Sequence, residues 1–174
     1  MKKNFIISAA IFFGMCLIYF FIMISKTEGN FTYLLDDAYI HLAIAKNFAL
    51  YDVWGMTPHA FSSSSSSPVF TFLIAMCIKV FGNSALFPLA INLVCAVGII
   101  YVLAKYYSRF SNKTIFVVSA VLVTVFSAAL PWQLFSGMEQ LLQVILVILN
   151  IYFLTDWLQG HFKNSKPLFF FYLT

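Results

Sequence analysis

The chain has 174 residues, of which 62% are hydrophobic and only 9% charged, with a mean hydropathy of +0.92 and a formal net charge of +4. Soluble domains keep about a quarter of their residues charged to meet water, so this composition excludes a water-facing globular protein and points to lipid as the surroundings. The cations are scattered between apolar runs, which marks membrane topology and argues against a nucleic-acid-binding surface.

Residues 5–25 form an unbroken apolar run behind a basic start, Lys2 and Lys3. The run exceeds the roughly 7–15 residues of a secretory signal core and ends without a small-x-small cleavage site, so it reads as a retained membrane helix. The positive-inside bias sets its start in the cytoplasm. Residues 26–67 then become an extracytoplasmic loop.

Within that loop, 36–50 is expected as a short helix lying along the membrane surface. Asp36 and Asp37 suit the positive end of the helix dipole, and Ile40, Ile44 and Phe48 recur on one face as an apolar stripe. Residues 51–67 follow as a loop containing Gly55, Pro58 and a serine run over 62–67 that ends at Pro68.

Residues 68–81 are apolar but have the length at which re-entrant or interfacial segments outnumber spanning ones. If they crossed, the basic loop 105–113, with Lys105, Arg109 and Lys113, would lie outside the cell. If only 85–104 crosses, that loop and 156–166 both face the cytoplasm, as the positive-inside bias demands. The second arrangement is preferred, with 68–81 a juxtamembrane or re-entrant helix. Spans at 114–130 and 138–155 follow, joined outside by 131–137. A further apolar run starts at 167–174 and breaks off short of a span, so the chain is expected to be the N-terminal part of a longer protein. Cys16, Cys77 and Cys95 lie in apolar runs at no metal-ligand spacing and read as small buried hydrophobes.

Two polar features share the outer side in this topology: Asp36–Asp37, and Ser136-Gly137-Met138-Glu139 at the outer end of two spans. Three convergent carboxylates, Asp36, Asp37 and Glu139, suit a general base or a divalent-cation site. Each also has a plainer explanation. The aspartates would cap a helix, Asp37 and His41 at i, i+4 would make an ordinary pair, and Glu139 would be a dipole partner. His59 would be a solvated loop residue, Lys79 a snorkelling one, and the serine run a flexible linker.

Taken together, Asp36-Asp37-Ala38-Tyr39-Ile40-His41, Ala45-Lys46-Asn47-Phe48-Ala49, Ser66-Ser67-Pro68-Val69-Phe70-Thr71-Phe72-Leu73 and Ser136-Gly137-Met138-Glu139 resemble the GT-C glycosyltransferases. The likeness is to their arabinofuranosyl- and mannosyltransferase-like, family 39-like branches, and it extends over residues 5–155. Ala43 and Lys46 stand where that family often has Arg, and its Gly-rich turn is reduced to 51–55. The resemblance implies an all-α, polytopic transmembrane bundle of GT-C type in the plasma (inner) membrane. It implies transfer of a sugar from a polyprenyl-phosphate donor to a glycan, lipid or protein hydroxyl on the outer face, with inversion. Asp37 or Asp36 would be the general base, with His41, Lys46, Ser67 and Glu139 binding substrate. Asp36, Asp37 and Glu139 would hold a Mg or Mn ion if one is used. The rival reading is a non-enzymatic transporter or flippase subunit, an assembly factor, or an inactive truncated remnant.

Overall fold

The computed structural model describes residues 2–158, and over them the protein is all-helical apart from an isolated bridge between Thr57 and Ala60. In chain order the helices are α1 (Lys2–Lys26), α2 (Asp37–Tyr51), α3 (Pro68–Phe81), α4 (Phe87–Tyr107), α5 (Thr114–Ser127), α6 (Leu130–Ser136) and α7 (Gln140–Leu158). The expected start of a span at 167–174 lies outside the described residues. Three helices, α1, α4 and α7, are long and apolar enough to cross a membrane; α5 and α6 together would make a fourth, bent by 49°.

α1 is apolar on all sides and buries a single seam, Asn4, Ser8, Phe12 and Cys16, one residue every turn. Ile6, Leu17 and Phe21 point away from the protein. A helix in lipid needs only such a seam, because hydrocarbon receives the rest at no cost. The main core lies between α1, α4, α5, α6 and α7, around Phe12, Ile99, Ile100, Val121, Leu134 and Leu141. A second, smaller core joins α2 to α3 through Ala45, Phe70, Ile74, Ala75 and Ile78.

The segment 131–137, expected as a plain connection, is mostly taken up by the helix α6. Ala129 adopts a left-handed conformation (φ +52°) and Pro131 lacks an N–H, so α5 ends and a new helix starts in a different direction. The buried face of α2 also differs from the expected stripe. Ala38, His41, Ile44, Ala45 and Asn47 are buried, while Ile40 and Phe48 are only half-buried. The stripe missed this because His41 and Asn47 are polar, and each is buried with a hydrogen-bond partner.

The bundle has two ends of different chemistry. At one, Asn4 near the start of α1 lies 3.4 Å from Ser108 just after α4, and Arg109 pairs with Asp156 near the end of α7. At the other, the Tyr33 hydroxyl donates to Ala85 O at 2.5 Å and accepts from Leu89 N at 3.2 Å, just ahead of and within the first turn of α4. α3 has both its ends here: Thr71 meets His41 at 2.7 Å, and Phe81 lies 6.4 Å, ring to ring, from Phe87 at the start of α4. It therefore does not run the length of the bundle.

Candidate functional site

Asp36 and Asp37 are both exposed at the start of α2. Asp36 occupies the N-cap position with a helical backbone (φ −67°, ψ −29°) and makes no side-chain cap hydrogen bond. A capping aspartate would adopt an extended backbone and accept from the amides of the first turn. The capping explanation therefore fails for Asp36, and its carboxylate is left open. Asp37 stands one turn before His41, near enough for its charge to act on the ring.

His41 is 1% exposed and lies between three segments of the chain. Its Nδ1 is 2.7 Å from Thr71 Oγ1 on α3 and 3.3 Å from Ser65 Oγ, and those two hydroxyls are 2.8 Å apart. Its Nε2 is 3.5 Å from Glu139 Oε2 and 3.4 Å from Ser66 Oγ. Ser66 Oγ in turn donates to Glu139 Oε1 at 3.5 Å. Burial pushes the imidazole below its ordinary range, while the Glu139 and Asp37 carboxylates pull it back up. For the neutral ring, one proton arrangement fits these distances, with Glu139 Oε2 left at the longer approach of 3.5 Å. Ser65 donates to Thr71, Thr71 donates to Nδ1, and Nε2–H points at Glu139.

The serine run is therefore not a free linker. Ser65 and Ser66 dock on His41, and Ser62 accepts from Met56 N at 3.2 Å while its own N–H donates to Trp54 O at 3.0 Å. Gly55 makes this fold of the loop possible, since a Cβ there would stand 2.1 Å from Ala60 O. The Gly55 carbonyl accepts from Asn47 Nδ2 at 2.8 Å, which ties the loop to α2.

Glu139 comes from the turn between α6 and α7 and is 8% exposed. Its carbonyl accepts from Gln143 N at 3.0 Å, so it opens α7. Its Oε2 is buried and has no hydrogen-bond partner beyond the longer approach to His41. Gly137 creates the approach. It has φ +75°, and a Cβ there would fall 2.5 Å from the Tyr33 ring and 2.6 Å from Ala38 Cβ. Asn92 of α4 donates to Met138 O at 3.1 Å and fixes the same turn from below.

Of the residues singled out from sequence, His41 and Glu139 meet directly, and Asp37 acts on His41 through its charge. Lys46 is exposed further along α2, and Ser67, just ahead of α3, uses its carbonyl to accept from Thr71 N at 3.1 Å. His59 and Lys79 are exposed. Among the described residues no three His, Cys, Asp or Glu side chains are gathered as for a metal ion. Asp36 and Asp37 face outward and Glu139 is turned to His41, so the three carboxylates do not form a ligand set in this geometry. Ser65, Thr71 and Tyr33 are additions to those residues; the contacts of Ser65 and Thr71 with His41 and of Tyr33 with Leu89 span 24 to 56 residues of sequence.

No protein family, curated protein or solved structure matches the chain.

Proposed function

We propose that this protein is a GT-C-type membrane glycosyltransferase that works on the outer face of the plasma (inner) membrane. It would move a sugar from a polyprenyl-phosphate donor to an acceptor hydroxyl of a glycan, lipid or protein, with inversion. The observation that carries the reading is the exposed carboxylate pair Asp36–Asp37, with no side-chain cap at Asp36, one turn from a buried His–Glu pair and at the end of the bundle away from Arg109.

In the reaction, Asp37 accepts the proton of the acceptor hydroxyl as its oxygen bonds to the anomeric carbon. The bond from that carbon to the phosphate oxygen breaks, and polyprenyl phosphate leaves with the electron pair. Attack opposite the leaving group inverts the centre. Asp37 is preferred to Asp36 because it shares a helix face with His41. General-base help of this kind is worth on the order of 10²–10⁴-fold. Charge developing on the phosphate needs a cation, and the exposed Lys46 on the same helix is a candidate. His41 is enclosed and contributes through its neighbours. No step is routed through a metal, since the carboxylates do not converge.

For topology, the reading takes α1, α4, the α5–α6 pair and α7 as spans, with Lys2, Lys3, Arg109 and Lys113 in the cytoplasm. α2 and α3 would then lie at the outer surface. Support comes from α3 having both its ends at the end of the bundle that holds the carboxylates.

The test is transfer from a panel of radiolabelled polyprenyl-phosphate pentoses and hexoses into membranes that hold wild type, Asp36→Asn or Asp37→Asn. The reading expects Asp37→Asn to lose about 10²–10⁴-fold. Full activity in both variants would sink it.

A further inference from the structure

We propose that His41 is a positioning residue: its Nδ1 fastens α3 and its Nε2 the turn that opens α7, with the serine run held by both, and the fastening sets where the Asp37 carboxylate stands. The clause about Asp37 rests on the reading above; the fastening does not.

The start of α2 is held from before by Tyr33, whose hydroxyl bonds Ala85 O and Leu89 N, and by Ala38, buried at Gly137. Asp36 gives it no side-chain cap, and the segment before it is tied by Tyr33 N to Tyr39 Oη at 3.1 Å and by Leu34 N to Phe135 O at 3.4 Å. One turn into the helix, His41 is enclosed. Its Nδ1 side engages Thr71 and Ser65, and so the serine run and α3. Its Nε2 side faces Glu139 and Ser66, and so the turn that opens α7. At 1% exposure the ring does not reach a substrate, and it acts only through what it holds.

A hydrophobic side chain would pack α2 on α3 without the cost of burying an imidazole. The imidazole adds direction: two nitrogens that point apart in one plane, Nδ1 toward Thr71 of α3 and Nε2 toward Glu139 of the α6–α7 turn, with the serine run touching both through Ser65 and Ser66. The ring edge also meets the Phe70 ring at 5.9 Å, which fixes its plane. Asp37, four residues earlier on the same helix, inherits that alignment.

The two faces can be separated by substitution. Asn at position 41 keeps a polar atom near Nδ1 and loses the Nε2 side. Gln keeps a polar atom near Nε2 and loses the Nδ1 side. Phe keeps the volume and loses both.

The test is amide hydrogen exchange of the full chain in lipid nanodiscs, read at Thr71 on one side and Met138 on the other. Relative to wild type, His41→Phe should speed exchange roughly tenfold or more on both sides. His41→Asn should do so only at Met138, and His41→Gln only at Thr71. Wild-type exchange in His41→Phe would overturn the proposal. So would equal loosening of both sides by Asn and Gln, which would make the histidine ordinary core. Exchange is read without substrate, so a failure here is separate from a failure of the transfer assay.

Discussion

Both ends of the bundle bury an acid beside a base, and they do it in opposite ways. Arg109 and Asp156 make a direct, tightly closed ion pair, and the Arg109 guanidinium lies 4.3 Å over the Tyr152 ring with Lys105 4.9 Å over the same ring. That end is a closed arrangement of opposite charges on an aromatic face. His41 and Glu139 stand 3.5 Å apart, with a carboxylate oxygen left without a hydrogen bond and two exposed aspartates one turn away. Satisfied pairs hold structure together. Incomplete ones, beside exposed acids, are where chemistry with an outside molecule has room to occur.

That contrast can be broken most forcefully at Gly137. Gly137→Ala forces a Cβ into the Tyr33 ring and Ala38 at a left-handed φ, and should cost roughly 2–4 kcal/mol. Thermal unfolding in detergent should show a clear fall in midpoint, with the carboxylate end loosened first. Arg109→Ala leaves Asp156 largely buried without its guanidinium. Because Arg109 is partly exposed, the loss should be about 1–3 kcal/mol. The same melting assay reads it, and exchange at Ser62 and Met138 should stay at wild-type rates, since the pair lies at the other end of the bundle.

Tyr33→Phe is milder. It removes one hydroxyl that donates to Ala85 O and accepts from Leu89 N, which should cost about 1 kcal/mol. Burial raises this phenol to about 12, so its role does not change across physiological pH.

The smallest effect expected is acid sensitivity. Burial lowers His41 from its ordinary value of 6.5, so below that pH the unfolded chain takes up the proton more readily than the folded one. The contribution of neutral His41 is full above 6.5 and is lost as pH falls beneath it. Melting of wild type should therefore drop more steeply on the acid side of 6.5 than melting of His41→Asn. Equal slopes would mean that the ring is not held neutral by the fold.

Much of this architecture was legible in the residues. The apolar runs gave the long helices, because lipid tolerates little else, and the Pro68 start and Gly82 end of α3 appear at 68–81 as expected. Charge placement separated the basic end from the acidic one. What could not be read were contacts across the fold. The six-serine run looks like a linker because serine carries no periodic signal, yet its hydroxyls are the partners a buried histidine needs. A break beside Pro131 was expected, but the helix that follows was hidden, since Ala128–Ala129 gives no hint that a left-handed residue turns the chain into α6.

The account stands on the two ends facing opposite sides of a membrane. The most direct measurement is labelling by a membrane-impermeant maleimide in intact cells, with Cys16, Cys77 and Cys95 replaced by Ala and one new cysteine at a time. Asn30 and Asn112 are both exposed and stand before α2 and before α5. Asn30→Cys should label in intact cells, and Asn112→Cys only after the membrane is opened. Labelling of both from outside would contradict the account.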